Sequence, residues 1–104
     1  MEYKYKTLRN SNKGNGTYLI LTVRTTLQKL IDLFGYPEDP SADGKTQCNW
    51  TIELDDGTVF TIYDWKEYDT KPEYVTMWHI GATDKDLHTI RLFLFNQLGL
   101  EEGN

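Results

Sequence analysis

Two short runs of alternating apolar residues flank one tight turn in the middle of the chain, and this pattern constrains the fold more than any other. The apolar positions are Trp50, Ile52, Leu54, Phe60 and Ile62, and the turn is Asp55-Asp56-Gly57. Successive side chains of a strand point to opposite faces, so a period of two places these apolar residues on one buried face. Asp-Gly is frequent in hairpin turns because glycine tolerates positive φ. The sequence therefore predicts a β-hairpin with strands near 48–54 and 58–64.

Two segments have the spacing of amphipathic helices. The first is predicted near 26–34, where Thr25 and Gln28 have the spacing of a capping box. The second begins after Thr83 and ends at Gly99. Its apolar stripe consists of Leu87, Ile90, Leu94 and Leu98. Each helix has one apolar face, so each must pack against another element.

Three further stretches have the composition of strands: 2–8, 17–23 and 74–80. The first two could form a second hairpin across the loop of glycine and asparagine between them. Together the elements predict an α+β fold, with an antiparallel sheet of four or five strands and two helices packed on one face. At 104 residues the chain is expected to form a single domain, 1–104.

The opposite face of the predicted sheet mixes polar and apolar groups. The period of two directs to it Thr51, Glu53, Thr61, Tyr63, Met77 and His79. Such a face is solvated, covered by loops, or buried against a second copy of the chain. We expect a homo-oligomer, because Tyr63 and Met77 are residue types suited to an interface.

Charge and composition exclude several classes of function. Residues 1–31 carry six basic residues against one acidic, and residues 32–104 carry five basic against fifteen acidic, which gives the net charge of −5. This balance lacks the broad basic face that binds extended nucleic acid. No apolar run approaches the roughly 20 residues of a membrane helix, and no signal-peptide core is present at the start. With Cys48 as the one cysteine, an internal disulfide is excluded and an intracellular location is expected.

The sequence contains no pattern that we would assign to catalysis or to a metal. His79 could act as a general base beside Asp64, but a strand histidine is more often structural. Cys48 could pair with His79 or His88 only if the fold brought them together. The two aspartates before Gly57 are more simply turn residues than a carboxylate pair. We therefore expect neither a metal site nor a cofactor, and binding rather than turnover.

One group of residues is suited to binding a small anionic ligand. Aromatic rings stack on bases, whereas Lys and Arg neutralise phosphate. The expected ligand-binding residues are Tyr63, Trp65, Lys66, His79, Arg9, Lys13 and Arg24. Trp78 lies in the same stretch of sequence, although it is more suited to the core.

Three motifs carry a resemblance to a known group of proteins. They are Leu30-Ile31-Asp32-Leu33-Phe34-Gly35-Tyr36-Pro37, Thr61-Ile62-Tyr63-Asp64-Trp65-Lys66 and Trp78-His79-Ile80-Gly81. Over most of residues 26–98 the chain resembles small proteins encoded by bacteriophages and other DNA viruses. In that group a second glycine usually stands where this chain has Ala82.

The resemblance implies a viral accessory protein that acts in the host cytoplasm, and it provides no catalytic residues to transfer. Combined with the aromatic and basic residues, it leads us to expect an antagonist of host defence that binds and sequesters a small nucleotide immune signal. The alternative is an acidic inhibitor that binds a host defence or regulatory protein. A nucleotide-processing enzyme is the third and least favoured interpretation.

Overall fold

The computed structural model describes residues 2–9, 11–14, 16–38, 47–65 and 70–103. Six strands lie in this part of the chain: β1 (Tyr5–Leu8), β2 (Tyr18–Arg24), β3 (Asn49–Leu54), β4 (Val59–Tyr63), β5 (Met77–Ala82) and β6 (Glu101–Glu102). The helices are α1 (Leu27–Phe34) and α2 (Leu87–Arg91), and α2 continues as π-helix over Leu92–Gln97. Two single 3₁₀ turns, Pro72–Tyr74 and Asp84–Asp86, precede β5 and α2.

The strands form one antiparallel sheet in the order β1-β3-β4-β5-β2-β6. The α+β class is confirmed, whereas the predicted strand number of four or five is wrong, because β6 adds a sixth strand. The two residues of β6 are too few for a sequence pattern to show. They are aligned by pairing with Val23 and Arg24 of β2.

The central hairpin between β3 and β4 is confirmed. Trp50 pairs with Ile62 and Ile52 with Phe60, as the alternation required. Gly57 closes the turn with φ of 91° and donates its N–H to the Leu54 carbonyl at 3.0 Å. The turn therefore uses glycine where an L side chain would be strained.

The predicted hairpin between the first two strands is wrong. β1 lies at one edge of the sheet and pairs with β3, whereas β2 lies near the other edge between β5 and β6. In this arrangement Tyr5 lies opposite Leu54 and Val23 lies opposite Trp78, so each strand extends the apolar face of a more central one. Burial against distant strands has determined the pairing here, rather than closeness in sequence.

Both helices pack on the same face of the sheet. The residues predicted for this face are all fully buried: Trp50, Ile52, Phe60, Ile62, Trp78 and Ile80. The Tyr5 ring makes edge contacts with Phe34 of α1 at 5.4 Å and with Phe93 of α2 at 5.2 Å between ring centroids. One aromatic side chain thus joins the sheet to both helices.

The start of α1 differs by one residue from the prediction. Thr26, not Thr25, caps the helix, because its Oγ1 accepts the Lys29 N–H at 3.2 Å. Gln28 bonds instead to Asp32 one turn further on. The helix ends at Gly35, which has φ of 84° and accepts a hydrogen bond from Trp50 Nε1 at 2.8 Å.

The closing helix widens in its second half, and this changes which side chains are buried. The π-helix brings Phe93 into the core beside Ile90 and Leu94, while Leu87 and Leu98 of the predicted stripe are only partly buried. Gly99, with φ of 72°, follows the helix as predicted. Among the described residues, no helix is long and apolar enough to cross a membrane.

Candidate functional site

The loop before β2 covers part of the sheet face that is turned away from the helices. Gly14 lies so close to this face that a Cβ added to it would stand 2.7 Å from Thr61 Cγ2. The Gly14 carbonyl accepts the Thr17 hydroxyl at 2.8 Å, and Lys13 Nζ lies 2.9 Å from a carboxylate oxygen of Glu53. This end of the open face is therefore covered by the chain itself.

The C-terminal segment borders the same face at the edge of the sheet. Gly103 donates its N–H to the Thr22 carbonyl at 2.8 Å, and a Cβ on Gly103 would stand 2.6 Å from Thr22 Oγ1 and collide with Met77 Sδ. Thr22 and Met77 are therefore closely packed against the backbone of the last described residues.

Between the loop before β2 and the C-terminal segment lies a small aromatic depression. It has a volume of about 200 Å³ and is lined by Leu19, Tyr63, Trp65 and His79. Tyr63 is the cross-strand partner of His79, and their ring centroids are 5.5 Å apart; the Trp65 ring lies 6.1 Å from that of Tyr63. Trp65 is 40% exposed and Leu19 50% exposed. We call these four residues the aromatic depression.

A β-bulge places Leu19 in the aromatic depression. Leu19 lies opposite Gly81 and Leu21 lies opposite Ile80, so Ile20 is an extra residue on the β2 side. As a result Leu19 faces the depression while Leu21 faces the core. Sequence reasoning missed Leu19, and the available signal was the unbroken apolar run Leu19-Ile20-Leu21, which departs from alternation.

Asp64 fixes the backbone that carries Tyr63 and Trp65. Its side chain is fully buried, and Oδ1 accepts the N–H groups of Gln47 at 2.8 Å and Cys48 at 2.9 Å. Oδ2 has no hydrogen-bond partner among the described residues. The carboxylate thus holds the end of β4 to the start of β3.

Cys48 does not have the properties of a nucleophile. Burial, and secondarily the negative charge of Asp64, raises the pKa of the Cys48 thiol to about 11. The thiol therefore remains protonated near neutral pH, whereas a reactive cysteine has a lowered pKa. Cys48 also precedes Trp50 by two residues and lies on the core side, while His79 lies on the open face.

The phenol of Tyr63 is neutral under the same conditions, because burial raises its pKa above the usual value. It offers a hydroxyl that donates and accepts hydrogen bonds rather than a phenolate. Together with the neighbouring rings, this gives a flat apolar surface with a polar edge. Such a surface suits a planar heterocycle, which stacks with its face and hydrogen-bonds with its rim.

The structure brings together three of the seven predicted ligand-binding residues, Tyr63, Trp65 and His79. Arg24 lies on the same face, one residue pair beyond His79, where it is exposed. Lys66 lies outside the described residues. Trp78 faces the core, where its ring packs edge-on against Trp50 at 5.6 Å.

Two of the predicted basic residues are placed elsewhere. Lys13 forms an ion pair with Glu53, and this contact, with a weaker one from Lys6, lowers the pKa of the Glu53 carboxyl. Arg9 donates to the Tyr36 carbonyl near the end of α1. Neither side chain lines the aromatic depression, and their part in ligand binding stays a prediction. The sequence did not show these partners, because both lie at least 27 residues away.

In comparisons with known proteins, no protein-family model, no curated protein and no solved structure matches this chain. Among the described residues, no group of three or more His, Cys, Asp and Glu side chains is arranged to hold a metal ion. The geometry of the aromatic depression is therefore the basis for assigning a function.

Proposed function

We propose that this protein binds a small nucleotide without transforming it. The observation that carries the proposal is the aromatic depression: three ring side chains that the core does not use lie together in a concavity. Large rings that remain exposed in this way usually mark a contact with a ligand or partner. A nucleobase matches the chemistry, because it has a π-face for stacking and polar atoms at its rim.

The size of the depression favours a single ring system over a whole enclosed ligand. Sites for drug-sized molecules commonly occupy ~300 to 1,000 Å³, whereas the aromatic depression has about 200 Å³. A base would fill it, and the rest of a nucleotide would lie along the sheet surface. The depression lies on the open face of the sheet, with Trp65 and Leu19 exposed, which is compatible with capture and release of a small molecule.

Binding without turnover is supported by the state of the potential reactive groups. The pKa of Cys48 and that of Tyr63 are both raised, so both side chains are protonated near neutral pH. The Asp64 carboxylate accepts hydrogen bonds from the backbone N–H groups of Gln47 and Cys48.

The resemblance to small bacteriophage and DNA-virus proteins provides a role for such binding. A viral protein that holds one nucleotide per site would act stoichiometrically, by lowering the free concentration of a host signal. We therefore propose sequestration of a small nucleotide immune signal in the host cytoplasm. A stoichiometric role needs affinity rather than catalytic power.

Calorimetric titration with a panel of cyclic and linear nucleotides tests the proposal. Trp65→Ala removes the stacking ring, worth ~1 to 3 kcal/mol, and should lower the affinity about tenfold or more. Tyr74→Ala is the matched control, because Tyr74 is an exposed ring outside the depression. Mass spectrometry of the molecule released on heating should show the nucleotide intact. A panel with no binder at millimolar concentration, or equal losses for both variants, would contradict the proposal.

A second candidate function, inhibition of a host protein by an acidic surface, is favoured by one feature of the sheet edge. β5 pairs with the whole of β2, but β6 pairs with Val23 and Arg24 only, so the outer side of the first half of β2 has no strand beside it among the described residues. Tyr18 and Leu19 are each half exposed there. Such an edge can accept an extended segment of a partner. A host polypeptide retained by the wild-type protein and lost with Tyr18→Glu would support this function.

A further inference from the structure

Arg24 is positioned to reach a ligand that lies in the aromatic depression. Thr22 pairs with His79 and Arg24 with Met77, so Arg24 is one residue pair beyond His79 on the open face. Neighbouring strands are ~4.8 Å apart and residues on one face ~6.7 Å apart, which places the Cα atoms of Arg24 and His79 ~8 Å apart. Arg24 is exposed, and among the described residues no carboxylate lies within 4.0 Å of its guanidinium.

The surface between Arg24 and the depression is formed by small and flexible side chains. Thr22 and Met77 lie there, packed against Gly103. Because glycine has no Cβ, the last described residues approach this surface without rising above it. A sugar could therefore lie over Thr22 and Met77, with the base on one side and Arg24 on the other.

An acidic residue stands directly across from Arg24. Glu101 of β6 is its cross-strand partner, and such partners have Cβ atoms ~5 Å apart on the same face. The next residue, Glu102, is directed to the helix side, where it forms a two-point ion pair with Arg91 at 2.9 and 3.1 Å. Of the two neighbouring carboxylates, only Glu101 therefore adds its charge to the face that bears the depression.

We propose that Arg24 and Glu101 form the phosphate-reading end of the site, an inference that rests on the proposed function. Arg24 binds the phosphate of a nucleotide whose base lies against Trp65. Glu101 competes with that phosphate for Arg24 and repels additional negative charge. With one cation opposed by one carboxylate, this end favours a nucleotide that carries a single phosphate over a nucleoside and over a triphosphate.

Calorimetric titration with adenosine, adenosine monophosphate and adenosine triphosphate, and with the same guanosine series, tests this inference. The monophosphate should bind about tenfold more tightly than the nucleoside, since a hydrogen bond to a charged group contributes more than a neutral one. Arg24→Gln should remove that difference. Glu101→Gln should raise monophosphate affinity about two- to fivefold, the range for an exposed charge pair, and triphosphate affinity by more. Added salt should reduce both effects.

Matched variants separate a local effect from a change in net charge. Arg9→Gln removes the same cation near the end of α1, and Glu102→Gln removes the neighbouring carboxylate on the other face. Both should leave the ratio of monophosphate to nucleoside affinity at its wild-type value. Circular dichroism of every variant should match that of the wild type, as all four positions are exposed.

The results distinguish this inference from the proposed function. Equal binding of nucleoside and monophosphate to the wild type, or an unchanged ratio in Arg24→Gln, would overturn the assignment of Arg24 while leaving base binding established. Tighter binding of triphosphate than monophosphate, or no gain in Glu101→Gln, would overturn the assignment of Glu101. If neither nucleoside nor nucleotide binds, the inference and the proposed function both fail.

Discussion

Replacement of Asp64 tests how the buried carboxylate supports both the fold and the aromatic depression. Its Oδ1 accepts two backbone N–H groups that lead into β3, while its own backbone lies between Tyr63 and Trp65. In Asp64→Ala both N–H groups lose their acceptor. The Cys48 contact is buried and the Gln47 contact partly buried, so water can replace only the second. We expect the variant to fold with reduced stability.

The magnitude follows from two opposing contributions. Each hydrogen bond to a charged group contributes ~1.5 to 3 kcal/mol, so loss of the pair removes ~3 to 6 kcal/mol. The alanine variant also avoids the free-energy cost of burying a carboxylate, and this restores part of the lost stability. We expect a net loss of ~2 to 4 kcal/mol in the free energy of unfolding. Asp64→Asn keeps the acceptor geometry with neutral hydrogen bonds of ~0.5 to 1.5 kcal/mol each, and should lose only about half as much.

Urea unfolding followed by tryptophan fluorescence measures this loss, since Trp50 and Trp78 are fully buried. With a slope of ~1 to 3 kcal/mol per molar urea, a loss of ~3 kcal/mol lowers the midpoint by ~1 to 3 M. Asp56→Ala is the control, because Asp56 accepts one backbone N–H, that of Thr58 at 2.9 Å, in an exposed turn. Its loss should be smaller than that of Asp64→Ala, because it removes one such hydrogen bond, to an exposed side chain that water can replace.

The same variant has a second, independent readout at Cys48. Removal of the Asp64 charge should lower the pKa of the thiol, while burial keeps it above the ordinary value. Alkylation of the folded protein as a function of pH reports this change. An Asp64→Ala midpoint within ~0.5 kcal/mol of the wild type, an Asn variant less stable than the Ala variant, or an unchanged thiol pKa would each refute the reasoning.

Two further predictions concern pH and association. The pKa of Cys48 is about 11 in the folded chain against 9.0 for an unperturbed thiol, so the unfolded chain loses this proton at a lower pH. The free energy of unfolding should therefore fall between pH 9 and 11. Urea midpoints that fall equally in the wild type and in Cys48→Ala would contradict this. The homo-oligomer also stays a prediction, and light scattering at micromolar concentration should show a mass above one chain that decreases in Leu19→Glu with Tyr63→Glu. Met77→Glu is the control, since Met77 lies outside the aromatic depression, beside Gly103, and a monomeric wild type would contradict the prediction.

The elements predicted correctly from sequence are those determined by local patterns. The β3–β4 hairpin follows from alternation on both sides of Gly57, and α1 follows from its apolar spacing. The placing of Trp50 and Trp78 in the core follows from the same period of two. These signals lie within a few residues of one another, so no knowledge of the tertiary structure is needed to interpret them.

The features that sequence reasoning missed depend on contacts between distant segments. The pairing of β1 with β3 joins Tyr5 to Leu54, and β6 is aligned only by Val23 and Arg24. The bulge that turns Leu19 away from the core also depends on a distant segment, because it is defined by the pairing of β2 with β5. Contacts of this kind are determined by the burial of the whole sheet, which no local pattern encodes.

The candidate site divides in the same way. Tyr63 and His79 were predicted on one face from alternation, and their cross-strand pairing brings them together. Lys13 belongs to a loop and Arg9 to a strand end, where no period determines the direction of a side chain. In the fold, Lys13 pairs with Glu53 and Arg9 donates to the Tyr36 carbonyl. Charge and residue type thus predict what a site could contain, whereas only the fold decides which of those residues meet.

The extent of the open face bears on what occupies the aromatic depression. Gly14 covers Thr61, so the exposed or partly exposed apolar side chains of this face, among the described residues, are those of the aromatic depression and Met77 beside Gly103. A stable interface buries ~800 Å² on each partner, more than these side chains provide. An oligomer would therefore have to extend along the edge of β2, where Tyr18 continues the apolar surface from Leu19. A small planar ligand needs no such extension, and this difference in required area is the physical reason for preferring a nucleotide in the depression.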